Sequence, residues 1–328
     1  QTIMQRIVLF SGMLLSAAML HAQQPQKAEY RDPKNGYYQN VIMNDVQKAE
    51  PATTKDNRVF KIDASGINAP KDPSAYTQIW HTNPVSQGNT NTCWCFSTTS
   101  FYESEVKRTS GLEVKLSEMY VVYYQYVERA KYFIAHRGDM SFGEGSETNG
   151  TTWMIKQYGI VPYDAYKGKT NTASFYNHAT MFEEINSYLQ GVKAGNNWNE
   201  TEVVNTVKSI LNFYMGEPPT TVKWQNANYS PIEFSKTILK LDMNNYVDFM
   251  SLMQKPFYTK AEYDVPDNWW NDATYYNVPV NEFMDALKMA LKNGYSVSIG
   301  GDVSEPGWDS WNNMAVIPTW DISSENIN

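Results

Sequence analysis

Two thiols and one amide carry the chemistry this sequence can offer. Cys93 and Cys95 are its only cysteines, and Gln87 lies six residues before the first of them. The run from Gly88 to Thr92 is polar and turn-prone, whereas Cys93 to Val106 is more apolar and helix-compatible. That switch predicts a helix that starts at Cys93. A thiol in the first turn of a helix feels the partial positive charge of the unpaired N–H groups. That charge favours the thiolate, which is the nucleophilic form. The Gln87 side chain can reach back across the turn. With the backbone N–H of Cys93 it makes two donors for a developing oxyanion. The chemistry expected is attack of sulfur on a carbonyl carbon.

Other readings of the same residues exist. A buried cysteine usually behaves as a small hydrophobe, and that is the expectation for Cys95. Residues two apart on a helix point to different faces, so Cys93 and Cys95 form no ordinary disulfide. A Cys-x-Cys pair can ligate a metal or cycle between thiol and oxidised forms. A four-coordinate zinc site needs further Cys or His at suitable spacing, and His21, His81, His136 and His178 are all isolated. No metal site and no cofactor are therefore expected. Trp94 reads as packing beneath a cleft more readily than as a reacting group.

Gln87, Cys93-Trp94, Phe96 and Ser97 together resemble the active-site segment of the papain-like cysteine peptidases. Further segments narrow the resemblance to the bleomycin hydrolase and aminopeptidase C branch. They are Leu116-Ser-Glu-Met-Tyr120, Val127-Glu-Arg129, Tyr158-Gly-Ile-Val-Pro162, Ser230-Pro-Ile-Glu-Phe234, Tyr276-Asn277 and Gly301-Asp-Val303, all in the family's order. The likeness runs from about Val85 to Val316. It implies an α+β, papain-like fold, with a helical half that carries the nucleophile helix and a β half that is incomplete here. It also implies a peptidase working through a thioester acyl-enzyme, with Cys93 as nucleophile and Gln87 as oxyanion donor. The branch further suggests an aminopeptidase.

In that family a glycine pair forms one wall of the cleft, where the substrate backbone lies extended. The loop from Gly138 to Gly150 corresponds, and Gly145-Ser146 stand at that place. The candidate substrate-binding residues are thus Trp94, Gly145, Ser146 and Asp302, although Asp302 reads equally well as the end of a strand. Asn91 stands where family members commonly have glycine, and asparagine tolerates the left-handed conformation. The resemblance places the general-base His and its orienting Asn beyond Asn328, so the chain is expected to be truncated before them. The tail that restricts the family to exopeptidase action would also lie beyond that point. A catalytically dead, papain-like peptide-binding protein is the alternative, keeping the cleft without the base.

The surrounding elements must position these residues. The chain has 328 residues, is 42% apolar and contains 10 Trp and 23 Tyr, enough for a sizeable core. Its net charge of −8 argues against a nucleic-acid partner. Peptide substrates are the expected partners, and a homo-oligomer is a further one, because members of the branch often form hexamers. Met4-Gln-Arg6 followed by the apolar Ile7 to Leu20 reads as a secretory signal peptide over residues 1–22. The mature protein would then be exported to the periplasm or outside, with no membrane attachment. Residues 23–79 read as an N-terminal arm or spacer, and 80–328 as the peptidase domain with a helical insertion over about 170–275.

Helices are predicted from Cys93 to Thr109 and from Ser117 as N-cap, the latter with a core stripe of Met119, Val122, Tyr123, Tyr126, Val127 and Ala130. Others are expected over Thr151–Gly159, Met181–Val192, Thr201–Met215, Pro231–Lys240 and Val280–Asn293. Tyr275–Pro279 should be extended, and the alternation of Tyr295–Ile299 predicts a strand.

Overall fold

The computed structural model describes residues 27–32, 58–63, 66–70, 72–170, 173–301, 305–309 and 314–317. The expected signal peptide and Asp302 lie outside the described residues. The chain divides into two compact units: Asn35–Lys55 with Asp72–Val303, and Gln1–Lys34 with Asp56–Lys71 and Ser304–Asn328.

The larger unit holds six helices of eight residues or more among the described residues. They are α1 (Cys93–Ser110), α2 (Glu118–Ala135), α3 (Thr148–Tyr158), α4 (Ala179–Ala194), α5 (Glu200–Met215) and α6 (Val280–Lys292). Local chemistry sets several of their ends. Ser117 is extended, and its Oγ accepts the Tyr120 N–H at 3.1 Å, so α2 starts where the sequence places it. Asn199 caps α5 in the same way through Glu202 N–H. Helix α3 begins three residues earlier than expected and takes Gly150 into its first turn.

The segment after Ser230 departs further from expectation. Ser230 and Glu233 form a reciprocal capping box, but only Pro231–Glu233 is α-helical, and Phe234–Ile238 is a π turn. Ser235 supplies a cause. Its hydroxyl donates to the Pro231 carbonyl at 2.7 Å, which is the acceptor its own N–H would use in an α-helix. The same hydroxyl accepts Ile160 N–H at 2.9 Å and ties the turn to the end of α3.

Helix α2 is the centre of the larger unit and packs against α1, α3 and α5. Its predicted stripe is buried, with none of the six residues more than 3% exposed. Gln125 and Arg129 on other faces of α2 are buried as well, as expected of a helix surrounded by protein. Burial of each large apolar side chain stabilises the fold by about 1.5–3 kcal/mol.

Strands are short. Val222–Trp224 and Ala227–Tyr229 make a hairpin, and Tyr275–Asn277 lies between Phe249–Met250 (parallel) and Thr259–Ala261 (antiparallel). The fully buried Asn277 amide pins the adjoining loop. It accepts Leu252 N–H at 2.8 Å and donates to the carbonyls of Leu252 and Lys255, each at 2.9 Å.

The predicted strand over Tyr295–Ile299 is not formed among the described residues. Its alternation survives. Ser296 Oγ donates to Ser104 Oγ at 3.0 Å, and Ser298 Oγ lies 3.0 Å from Thr98 Oγ1, so these two face α1. Tyr295, Val297 and Ile299 remain exposed. A strand needs a pairing partner, and none of the described residues supplies one.

In the smaller unit, Ala28–Arg31 pairs antiparallel with Val59–Ile62, and Trp308–Asp309 with Met314–Ala315. Ile62 N–H donates to Pro306 O at 2.9 Å, and Arg31 meets the buried Asp309 carboxylate at 2.7 Å. Two stretches of the expected N-terminal arm are thus strands of this unit.

Candidate active site

Cys93 is the first residue of α1 and its side chain is exposed. No side chain caps this helix. The Thr92 hydroxyl is turned to Thr90 Oγ1, at 2.6 Å, and the Thr92 carbonyl accepts the N–H groups of Cys95 and Phe96. Among the described residues no acceptor takes the Cys93 N–H. The helix start therefore presents an accessible thiol beside a free backbone donor, which is an arrangement suited to sulfur attack and oxyanion binding.

Cys95 has the opposite environment. It is fully buried, its thiol donates to Glu118 O at 3.3 Å, and burial pushes its pKa well up. It is a packing residue held as the neutral thiol.

Gln87 is half-buried, and its Nε2 donates to Thr90 O at 2.7 Å. The side chain thus closes its own turn through one of its N–H groups. A primary amide carries two N–H donors, so one remains for another partner.

The glycine that this turn needs is Gly88, not position 91. Gly88 has φ 62°, whereas Asn91 is not among the residues with positive φ. A Cβ at Gly88 would also collide with the Tyr176 backbone. That close approach is real pairing. Asn89 N–H donates to Tyr176 O at 2.7 Å, and His178 N–H to Asn89 O at 3.2 Å.

The loop before α3 lies against the start of α1. Glu144 makes both links: its carboxylate accepts Asn91 N–H at 2.6 Å, and its carbonyl accepts Trp94 Nε1–H at 3.1 Å. Burial raises the Glu144 pKa, and the Asn91 N–H opposes that shift. Gly145 follows, and a Cβ there would collide with the Asp267 carboxylate. Arg129 holds the loop from beneath, donating to Gly145 O at 2.5 Å and Ser141 O at 3.0 Å. Arg129 is 3% exposed, and burial lowers its pKa to about 10.

The structure thus brings Cys93, Trp94 and Gly145 together and sets Gln87 at the entrance of the same turn. Trp94 and Ser146 are 5% and 6% exposed, so their side chains offer little surface to a substrate. Sequence reasoning missed Glu144 and Asp267, which bear no local signal, and quoted Arg129 only as part of a familiar segment.

None of the described histidines is hydrogen-bonded to Cys93. His81 is exposed and bonded to Thr82 O at 2.8 Å, and His136 is exposed and stacked on Tyr132. His178 is buried, with Nδ1 3.0 Å from Tyr126 OH and Nε2 without a partner; burial drives its pKa down to about 4. No cluster of metal-ligating side chains occurs among the described residues.

In structure the chain resembles PepW from Lactobacillus rhamnosis HN001, with a TM-score of 0.53 and 16% identity over 66% of this chain. The chain spans 58% of the length of that structure, and the likeness is one of fold. No curated protein matches in sequence. Residues 143–314, just over half of the 328, match the Peptidase C1-like family. The chain therefore belongs to the Peptidase C1-like family and has the α+β, papain-like fold read from its Cys93 segment.

Proposed function

We propose that the full-length protein is an exported cysteine-type peptidase, an aminopeptidase, that hydrolyses peptide bonds through a thioester on Cys93. One observation carries the reading: an exposed thiol stands at N1 of α1, next to a backbone N–H with no acceptor among the described residues. Cys93 attacks the scissile carbonyl, and its N–H with the second Gln87 N–H binds the oxyanion. Gly145 stands at the wall along which an extended substrate backbone would lie. Export rests on the charged and apolar start from Met4 to Leu20, and peptides are the partners.

Catalysis also needs a base. His81, His136 and His178 are held elsewhere, so this reading takes the imidazole and its orienting Asn from outside the described residues. That same placement of the histidines favours the second reading, a papain-like protein that binds peptides without cutting them.

The test uses full-length protein and a peptidyl epoxide, with the adduct located by mass spectrometry. The adduct should form on Cys93 and not on Cys95. Gln87→Ala should slow turnover by about 10²–10³, and an unchanged rate removes Gln87 from the site. A peptide with a free α-amino group should be trimmed, and its N-acetylated form should resist. Epoxide labelling without any cleavage would select the binding protein.

A further inference from the structure

Away from Cys93, the π turn and the residues after it form one side of a groove of about 480 Å³, and the end of α3 forms the other. Its floor is apolar, from Ile155, Leu241 and Met243, with Ile232 at the rim. Three ammonium groups border it: Lys156 from α3, Lys236 from the π turn and Lys240 just beyond. All three lysines are exposed. In a chain of net charge −8, that is a local reversal of sign.

The opposing charge is smaller and is held within its own turn. Asp242 is the one carboxylate in the lining. Its Oδ1 accepts both the backbone N–H and the side-chain amide of Asn244, at 3.0 and 2.9 Å. Asn244 in turn accepts from Lys156 Nζ at 2.8 Å, which fixes that lysine beside the groove. Among the described residues Lys236 and Lys240 pair with no carboxylate.

The backbone here is bent in two ways that a plain helix would avoid. Phe234–Ile238 is a π turn, a form enriched at functional sites. Lys240 has φ 56°, a conformation in which glycine is relaxed and lysine is not. A lysine at this position places its ammonium on the groove at a cost in stability.

We propose that this groove binds a single carboxylate carried on a short apolar body, with Lys236 and Lys240 holding the charge and the floor holding the body. The volume suits a small ligand. Two sources share that chemistry, a free aliphatic carboxylate and the C-terminal residue of a peptide. The site is independent of Cys93, so it stands or falls apart from the peptidase reading.

The test follows the methyl signals of Ile155 and Met243 by NMR in the full chain. The probes are hexanoate, N-acetylleucine, hexanol and inorganic phosphate. Hexanoate or N-acetylleucine should shift both signals more tightly than hexanol or phosphate, and the tighter of the two names the source. Lys236→Gln with Lys240→Gln should weaken that binding about tenfold or more. Lys240→Gly should raise Tm while lowering affinity, which separates lost binding from lost folding. Equal binding of hexanol or phosphate, or affinity untouched by the lysine changes, would overturn the proposal.

Discussion

Helices α2 and α6 both repeat apolar residues at three- and four-residue spacing, yet they come to different ends. On α2, Met119, Val122, Tyr126 and Ala130 are covered by neighbouring helices. On α6 no residue is buried, and Val280, Met284 and Leu291, which share one face, are exposed. Tyr295, Val297 and Ile299, just after α6, are exposed as well. Periodicity thus states which face of a helix would gain from burial. What covers that face depends on the rest of the fold.

Mutations can break this contrast or sharpen it. Met119→Ala should cost about 2–5 kcal/mol, because a fully packed site cannot collapse around the missing atoms. Chemical denaturation measures it, and a loss below about 1 kcal/mol would mean that the α2 site is less packed than its burial indicates.

The next effect concerns pH. His178 sits against Tyr126 of α2, and burial holds its pKa near 4, below the ordinary 6.5. The unfolded chain therefore binds this proton first as the pH falls. Stability from the neutral imidazole is full above about pH 6.5 and is lost towards pH 4, by about 3 kcal/mol at most. The α2 side should accordingly melt earlier in acid. His178→Phe should flatten that slope in Tm against pH, and an unchanged slope would locate the acid sensitivity elsewhere.

The smallest effect belongs to α6. Met284→Ala should change stability by no more than about 0.5 kcal/mol, since Met284 is 42% exposed. A large loss would show that this face is covered in solution.

Local signals made much of this structure legible. The start of α1, the Ser117 cap and the stripe on α2 each depend on residues within a few positions of one another. The nucleophile segment carried its own spacing. What stayed hidden depends on contacts between distant segments. Glu144 reaches Asn91 across 53 positions. Arg129 meets Gly145 across 16, and the left-handed Gly88 owes its place to pairing with Tyr176. The π turn was missed because Ser235 and its bond to Pro231 break a pattern that reads as helical. The Tyr295–Ile299 strand was read from alternation alone, and alternation does not supply a partner.

The account centres on Cys93, and the most direct measurement compares peptide turnover by full-length protein with that of Cys93→Ala and Cys95→Ala. Cys93→Ala should fall to the uncatalysed background while keeping the wild-type melting profile, and Cys95→Ala should keep its turnover in the fraction that folds. Turnover near wild type in Cys93→Ala would contradict the account.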